Sequence, residues 1–229
     1  MLGILGGMGP AAGAEFLRRL IEQTPATCDQ EHIHTVLWSD PTIPDRSLAL
    51  RAGTNEPLEG LLKGVQALKT AGCTHIVIPC NTAHFWYDEM VDQGVPILHI
   101  VESVAVQLNK LNVTGTIGIM GTQSTVEFGL YQTMLEHRGW QCIVPSQYEM
   151  DVYVQPAIDY VKAGDRTRAQ DLLNIVIKNL IDRGAEAVVL GCTELPLAVP
   201  ETEMYGVPLI NSIDSLVKST LEWYQNDPK

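Results

Sequence analysis

Basic side chains are scarce in this sequence of 229 residues, which has 15 Lys and Arg residues against 27 Asp and Glu residues. The formal net charge of -12 opposes binding to the phosphate backbone of nucleic acids or to an anionic membrane surface. We therefore expect no nucleic-acid partner and no membrane partner. If the ligand is a small anion, the few basic side chains must be concentrated around it.

Long apolar runs are also missing, because no uninterrupted run approaches the roughly 18 residues of a membrane-spanning helix. The first ten residues, MLGILGGMGP, are apolar but show neither a basic segment nor a small-residue cleavage pattern. They break at glycines and at Pro10, so we predict a strand and a turn there and not a signal peptide.

Closely spaced cysteine pairs are absent as well. The five cysteines are odd in number and none belongs to a Cys-x-x-Cys motif. This usage fits a reducing, cytoplasmic location better than a disulfide framework. A lone cysteine is ordinarily a small buried apolar residue, and we interpret Cys28, Cys73 and Cys142 in that way.

The segments that are present occur in pairs. Residues 71–82, AGCTHIVIPCNT, are echoed by residues 183–194, RGAEAVVLGCTE. In each segment a glycine lies eight positions before a cysteine, Gly72 before Cys80 and Gly184 before Cys192. The segments LGILGGMGP and VPILHIVES are echoed in the same order by IGIMGTQST and VPLINSIDS. Three matched pairs in one order indicate two copies of one α/β unit.

The apolar runs are short, continuous and β-branched, as expected for strands buried on both faces, and they alternate with helical patterns. This alternation predicts an α/β fold with two pseudo-symmetric lobes, each a four-stranded parallel sheet flanked by helices. The predicted strands lie near 2–5, 34–39, 75–79, 97–100, 116–120, 141–144, 186–190 and 207–210. The predicted helices are Pro10 to Gln23, Glu56 to Thr70, Thr125 to His137, Arg166 to Asp182 and Ser212 to Tyr224.

The predicted first lobe comprises residues 1–103 with a C-terminal helix at 212–229, and the second comprises residues 104–211. Ligands of open parallel sheets bind beyond the carboxyl ends of the strands. Cys80 in the first lobe and Cys192 in the second each follow such a strand directly. If the lobes face each other about a pseudo-twofold axis, the two thiols converge on one cleft from opposite sides.

Two acid/base groups on opposite faces of one carbon can invert its configuration, because one removes a proton while the other delivers one. A thiol suits this task, since its pKa of about 8.5 is readily lowered by nearby cations. The two thiols must be in opposite protonation states, and their roles exchange with the handedness of the substrate. A metal site at Cys80 and His84 is an alternative, but the sequence shows no further ligand cluster. A redox switch that joins Cys80 to Cys192 is another.

Six motifs, in this order along the whole chain, resemble the aspartate/glutamate racemase family, and specifically its aspartate racemase branch. They are GILGGMGP, PDR, PCNTAH, GTQST, YVK and GCTE. The glutamate branch carries an Asp-Ser pair in the first loop and a histidine after the second Cys-Thr, where this chain has GGMGP and Glu194. The resemblance implies a cofactor-independent amino-acid racemase, usually a homodimer, acting on a small acidic amino acid.

The resemblance also implies roles for individual residues. Cys80 and Cys192 are the catalytic pair, with Cys192 facing the L-enantiomer and Cys80 the D-enantiomer. The matching arginine and lysine, Arg46 and Lys162, engage the distal carboxylate of the substrate, although in isolation both would be surface charges. The full set of substrate-binding residues is Met8, Arg46, Asn81, Thr82, Thr125, Lys162 and Thr193.

Several of these residues have a second interpretation. Asn81, Thr82 and Thr193 are suited to cap the helices that follow them, and Thr122 is an alternative to Thr125 or itself a helix cap. Met8 lies in a glycine-rich turn that can bind an anion through backbone N–H groups, or belong to a weak dinucleotide fingerprint in which Asp40, after the second strand, is the ribose ligand. His84 and Glu194 are candidates to tune the thiols or to shuttle protons.

The function we predict is interconversion of L- and D-aspartate, with glutamate as a further substrate, by a thiol/thiolate pair. The alternatives are a sister activity such as hydantoin racemase, maleate isomerase or arylmalonate decarboxylase, or a non-catalytic dicarboxylate-binding protein. The two cysteines argue against simple binding, because an anion needs no paired thiols. The presence of both thiols and both cations argues against the sister activities.

Overall fold

The computed structural model describes residues 1–226, and by their contacts they form two compact units. The first unit comprises Met1–Ser103 together with the chain from Ile213 onward. The second unit comprises Val104–Ser212. Each unit has its own parallel sheet and its own buried apolar core.

The first unit is built on a four-stranded, all-parallel sheet with the order β2-β1-β3-β4. Its strands are β1 Leu2–Gly6, β2 Thr35–Ser39, β3 His75–Val77 and β4 Ile97–Leu98. Its helices are α1 Pro10–Gln23, α2 Arg46–Ala52, α3 Glu56–Thr70 and α4 Tyr87–Val91, and α5 Ile100–Lys110 carries the chain into the second unit. The predicted parallel α/β architecture is confirmed here.

The second unit repeats this order and adds one strand, giving β6-β5-β7-β9-β8. Its strands are β5 Thr116–Met120, β6 Gln141–Ile143, β7 Ala187–Leu190, β8 Glu203–Met204 and β9 Val207–Asn211. Its helices are α6 Gln123–Glu127, α7 Leu130–Glu136, α8 Gln147–Glu149, α9 Gln155–Lys162, α10 Arg166–Asp182 and α11 Leu195–Ala198. A π-helical turn, Met150–Val154, joins α8 to α9.

The four parallel strands predicted for this second unit are all present, and the prediction is corrected only by the addition of one antiparallel edge strand, β8. β8 pairs antiparallel with β9, with Met204 opposite Val207. The two residues between them, Tyr205 and Gly206, have φ values of 52° and 76°. Two successive positive φ values are the geometry of a two-residue hairpin turn whose twist matches that of the flanking strands. The resulting strand is too short to leave a periodic pattern in the sequence.

The predicted helix from Thr125 to His137 is also corrected. The structure contains two short helices there, α6 and α7, separated at Gly129. Gly129 has a φ of 69°, a left-handed conformation that glycine adopts without steric cost. This turn changes the chain direction and lets α7 reach the buried centre of the unit, where Tyr131 is fully buried.

The C-terminal helix, α12 Ser212–Asn226, packs on the first unit from Ile213 onward. Asp214 accepts a 2.6 Å ion pair from Arg19 of α1, and Trp223 lies against His75 at the start of β3, with ring centroids 4.2 Å apart. Within residues 1–226, no helix combines the length and the apolarity that crossing a membrane requires.

The repeat in the sequence corresponds to a repeat in topology. β3 and β7 occupy equivalent positions in the two sheets, each hydrogen-bonded between the strand that begins its unit and the strand that precedes α5 or α12. Cys80 follows β3 and Cys192 follows β7, so each cysteine lies beyond the carboxyl end of a central strand. Loops at that edge of a parallel sheet are where ligands bind.

Candidate active site

Cys80 lies in a tight turn beyond β3 and is 5% exposed. Its backbone N–H donates to the carbonyl of Ile78 at 2.8 Å, which turns the chain sharply as the strand ends. A 3-10 helix, Thr82–Trp86, follows almost at once. Asn81 and Thr82, the two residues after the cysteine, are both buried. The first thiol and two of its predicted polar neighbours therefore belong to one compact turn.

His84 fixes this turn through both of its ring nitrogens. Nδ1 lies 2.9 Å from the carbonyl oxygen of Cys80, and Nε2 accepts from the backbone N–H of Ile100 at 3.2 Å. Since Nε2 is an acceptor, the proton is on Nδ1 and the ring is neutral. Complete burial, with His99 adding to it, lowers the pKa of His84 to about 3. His84 therefore bridges Cys80 to the start of α5, and the geometry does not support the predicted proton shuttle.

The same two hydrogen bonds bear on the alternative of a metal site at Cys80 and His84. A ring nitrogen must offer a lone pair to bind a metal, and here each nitrogen is engaged by the backbone. Within residues 1–226, no group of three or more His, Cys, Asp or Glu side chains is arranged to hold a metal ion.

Arg46 is the first residue of α2, a helix that begins at Asp45 because the Asp45 side chain accepts from the Leu48 N–H at 2.8 Å. Its Nη1 donates to the carbonyls of Ile43 and Pro44 at 3.1 and 3.0 Å. Its Nε is buried and has no hydrogen-bond partner within the described residues. The guanidinium is therefore held in one orientation with a donor left over.

Met8 contributes differently from the prediction, because its side chain is 3% exposed and packs in the apolar core that also contains Cys80. The turn before it is crowded: a Cβ added at Gly7, whose φ is 97°, would lie 2.4 Å from the backbone of Asp40. Asp40 itself accepts from the N–H and hydroxyl of Thr42, at 2.9 and 2.6 Å. That engagement does not favour the role of ribose ligand in a dinucleotide site.

Cys192 lies beyond β7, is 3% exposed, and donates its thiol proton to Oε2 of Glu194 at 3.0 Å. The hydroxyl of Thr193 donates to the same oxygen at 3.2 Å. Burial raises the pKa of Cys192 well above its ordinary value, and the negative charge and hydrogen bond of Glu194 raise it further. The N–H of Glu194 and the charge of Lys162 act in the opposite direction.

Lys162 is the last residue of α9 and its side chain is exposed. It lowers the pKa of Cys192 through its positive charge. Thr125 is fully buried, and its hydroxyl and N–H both face the Oγ1 of Thr122, at 2.9 and 3.2 Å. Thr122 is thus the N-cap of α6, which confirms its interpretation as a helix cap. The second unit brings Thr193 and the charge of Lys162 to the second thiol.

Tyr131, which is not among the residues predicted from the sequence, packs against the loop that carries Cys192. Its ring lies so close to Gly191 that a Cβ on that glycine would be 2.7 Å from the ring edge. Its hydroxyl is hydrogen-bonded to Ser212, the first residue of α12, and its burial raises the pKa of the phenol. The one sequence signal is Gly191 itself, which stands where the first repeat has Pro79.

None of the five cysteines forms a disulfide in the described chain. Taken unit by unit, the structure places buried Cys80, Asn81 and Thr82 in one turn and buried Cys192 and Thr193 in the equivalent turn. Each turn has polar neighbours of its own, with a neutral imidazole in the first and a carboxylate in the second. Such turns are suited to proton transfer by thiols.

The sequence profile of the Asp/Glu/Hydantoin racemase family matches residues 5–220, so the chain belongs to that family. Among its relatives, the broad specificity amino-acid racemase RacX of Bacillus subtilis (strain 168) is 28% identical over 231 residues. That alignment spans 98% of this chain and 98% of the relative.

Two solved structures have the same fold. The aspartate racemase of Picrophilus torridus superimposes with a TM-score of 0.85 and 30% identity, covering 100% of this chain and 95% of that protein. An aspartate racemase homologue from Pyrococcus horikoshii OT3 superimposes with a TM-score of 0.78 and 23% identity, covering 98% of this chain and 99% of that protein. The second likeness is evidence for the fold alone. The chain thus belongs to a racemase family, and two proteins similar to it bear the names amino-acid racemase and aspartate racemase.

Proposed function

We propose that the protein interconverts L- and D-aspartate without a cofactor, with Cys80 and Cys192 as the two proton-transfer groups. The observation that carries this proposal is the equivalence of the two cysteines: both are buried, and both lie just beyond the carboxyl end of the central strand of a repeated sheet. Inversion requires one group that removes the α-proton and another that delivers a proton to the opposite face. A duplicated thiol provides such a pair.

The reaction proceeds in two proton transfers. A thiolate takes the α-hydrogen, so a C–H bond breaks, an S–H bond forms and the electron pair stays on the substrate. The second thiol then gives its proton to the other face of the same carbon and becomes the thiolate. The two cysteines have exchanged protonation states, and the roles are reversed for the other enantiomer.

Arg46 supports the choice of an acidic substrate. Its Nε is a buried charged donor without a partner within the described residues, and such a donor is costly to leave unpaired. The carboxylate of a bound side chain would satisfy it, and the fixed orientation of the guanidinium favours a planar, bidentate acceptor. Lys162 adds a second cation on the side of Cys192. Two cations placed around the substrate would let a protein of net negative charge bind an anion.

The relatives suggest two specificities, because one carries the name aspartate racemase and another the name broad specificity amino-acid racemase. The Arg46 environment leads us to favour aspartate over neutral amino acids. The homodimer implied by the resemblance and the cytoplasmic location inferred from the cysteine usage stay predictions, and light scattering on the purified protein tests the first of them.

The experiment is to incubate the purified protein with L- or D-aspartate, glutamate and alanine, without added cofactor, and to follow the optical rotation. We expect both aspartate enantiomers to converge on zero rotation, and alanine to react far more slowly. A dialysed enzyme that requires pyridoxal phosphate would contradict the two-thiol proposal. A protein that binds aspartate without racemising it would favour the binding-protein alternative.

A further inference from the structure

We propose that Glu194 holds Cys192 in the thiol form in the resting enzyme, so that Cys192 begins the cycle as the acid and Cys80 as the base. This inference rests on the proposed racemase function for its kinetic consequence. Its physical part concerns only the second unit and is tested without catalysis. Glu194 lies two positions after Cys192, and the matching position of the first turn has no carboxylate.

The contact geometry is the first argument. The thiol of Cys192 and the hydroxyl of Thr193 both approach Oε2 of Glu194, at 3.0 and 3.2 Å. An ionised carboxylate oxygen only accepts hydrogen bonds, whereas a thiol and a hydroxyl donate. Two donors on one carboxylate oxygen fit a charged Glu194 beside a protonated Cys192. Removal of the thiol proton would place a second negative charge next to Glu194, on a sulfur that is buried.

The difference between the two repeats is the second argument. Two positions after its cysteine, the first turn has Thr82 and the second has Glu194, so only the second has a negative charge there. The imidazole of the first turn, His84, is neutral and bonds the Cys80 carbonyl. A carboxylate next to one thiol and a neutral residue in the matching position make the two cysteines chemically unequal.

Other titratable groups around Cys192 do not reverse this bias. Lys162 lowers the pKa of the thiol, but it is exposed and its effect ranks below those of burial and of Glu194. Tyr131 stays neutral because its burial raises the pKa of the phenol. The N–H of Glu194 also favours the thiolate, and a Glu194→Gln substitution retains that N–H while it removes the charge.

The kinetic consequence follows from the proton inventory. The resting enzyme holds the Cys192 proton, so the first transfer takes an α-hydrogen to Cys80 and the second brings the Cys192 proton to the opposite face. Cys192 is then a thiolate beside Glu194 and regains a proton from water, while Cys80 releases one to water. The resting form therefore reacts with the enantiomer whose α-hydrogen faces Cys80, and the other enantiomer reacts with the less populated form in which Cys192 is the thiolate.

The test measures the ionisation of Cys192 directly. The ultraviolet absorbance of the thiolate is titrated in the protein and in its Cys192→Ser variant, and the difference reports Cys192 alone. The same pair is made in the Glu194→Gln background. We expect the midpoint to fall by about one pH unit or more without the carboxylate, which is ~10-fold more thiolate at a given pH. Glu194→Ala must shift the midpoint in the same direction.

The control is Glu186→Gln. Glu186 lies just before β7, at the opposite end of the strand from Cys192, and its carboxylate accepts from the Gly115 N–H at 3.0 Å. This change removes a hydrogen-bonded carboxylate of the same unit and is expected to leave the Cys192 midpoint in place. Lys162→Gln is expected to raise the midpoint, the opposite sign.

The catalytic readout is the pH profile of kcat/KM. Loss of the acid proton from Cys192 sets its alkaline limb, so Glu194→Gln moves that limb to lower pH and leaves the acid limb unchanged. An unchanged Cys192 midpoint, or one that rises, would overturn the inference. If the wild-type protein shows no racemisation, the function fails while the absorbance titration still decides the role of Glu194.

Discussion

The turns that carry Cys80 and Cys192 occupy the same place in their sheets but are held by different chemistry. In the first, a neutral imidazole bonds the backbone carbonyl of the cysteine. In the second, a carboxylate bonds the thiol itself. A repeat can thus keep the backbone position of a reactive group while its acid/base environment diverges.

This divergence has a thermodynamic limit. The equilibrium constant between two enantiomers is one, so kcat/KM must be equal in the two directions for any variant of a racemase. The inequality of the two thiols therefore appears in proton exchange, in pH profiles and in kcat and KM separately. Experiments that follow only the overall conversion would not detect it.

The largest expected effect comes from removing either thiol. Cys80→Ser and Cys192→Ser should each lower racemisation by at least ~10²–10⁴-fold, because serine is far less acidic than cysteine. The surviving thiol can still take a proton and return it on its own face. In heavy water, Cys80→Ser should introduce deuterium into L-aspartate, and Cys192→Ser should do so into D-aspartate, as followed by proton NMR.

The two variants serve as controls for each other. The reverse pairing would mean that the facial assignment is inverted while the two-base mechanism stands. Full racemisation by a single-thiol variant would show that one base suffices, and the comparison of the two turns would then lose its catalytic meaning.

The next effect concerns the cation of the first unit. Arg46→Ala should lower kcat/KM for aspartate by about 10²-fold or more, because a charged, oriented carboxylate contact is lost. Activity on alanine, already low, should change little, since alanine has no side-chain carboxylate to contact Arg46. The measurement is the ratio of the two kcat/KM values before and after substitution. Equal activity of the wild type on alanine and aspartate would contradict the assignment.

The sequence predicts the two cysteine turns well, for a physical reason. A buried strand leaves a continuous apolar run, and the run ends where polar residues begin, so the positions of Cys80 and Cys192 at strand ends can be inferred directly. The repeat then predicts the matching sheet order. In contrast, β8 is two residues long and Gly129 interrupts a helical pattern that looks continuous. Elements this short are specified by turn conformation and not by periodicity.

The supporting contacts could not be predicted because they join residues that are distant in the chain. His84 reaches Ile100, and Tyr131 reaches both Gly191 and Ser212. A histidine near a cysteine suggests proton transfer, and only the positions of both ring nitrogens show a structural bridge. The polar pair of Cys192 and Glu194 is local, and the spacing alone indicated it as a candidate.

A smaller effect is expected on stability at acid pH. Burial depresses the pKa of His84 to about 3 in the folded protein, below that of an unfolded histidine, so the unfolded chain binds the proton more readily. The stability that the neutral ring contributes is complete above about pH 6.5 and is lost as the pH falls toward 3. From about pH 7 to about pH 5 the loss amounts to about 2 kcal/mol.

His84→Gln removes this titration, since an amide does not ionise in that range. Urea unfolding should therefore show a decline of stability between the two pH values that is smaller by about 2 kcal/mol than in the wild type. His137→Gln, at an exposed histidine, is the matched control and should follow the wild type. A parallel decline in wild type and His84→Gln would mean that folding does not lower the pKa of this imidazole.

The smallest effect concerns the support of the second turn. Tyr131→Phe keeps the ring against Gly191 and removes only the hydroxyl that bonds Ser212. Loss of one buried hydrogen bond should lower the free energy of unfolding by about 1–3 kcal/mol, with only a few-fold effect on kcat, because the Cys192 contact to Glu194 is untouched. Gly191→Ala is the sharper counterpart, since its Cβ would lie 2.7 Å from the ring and 2.9 Å from the Met120 carbonyl oxygen. It should move the turn and lower kcat more than Tyr131→Phe does, and the reverse order would show that the hydroxyl, and not the ring, positions the second thiol.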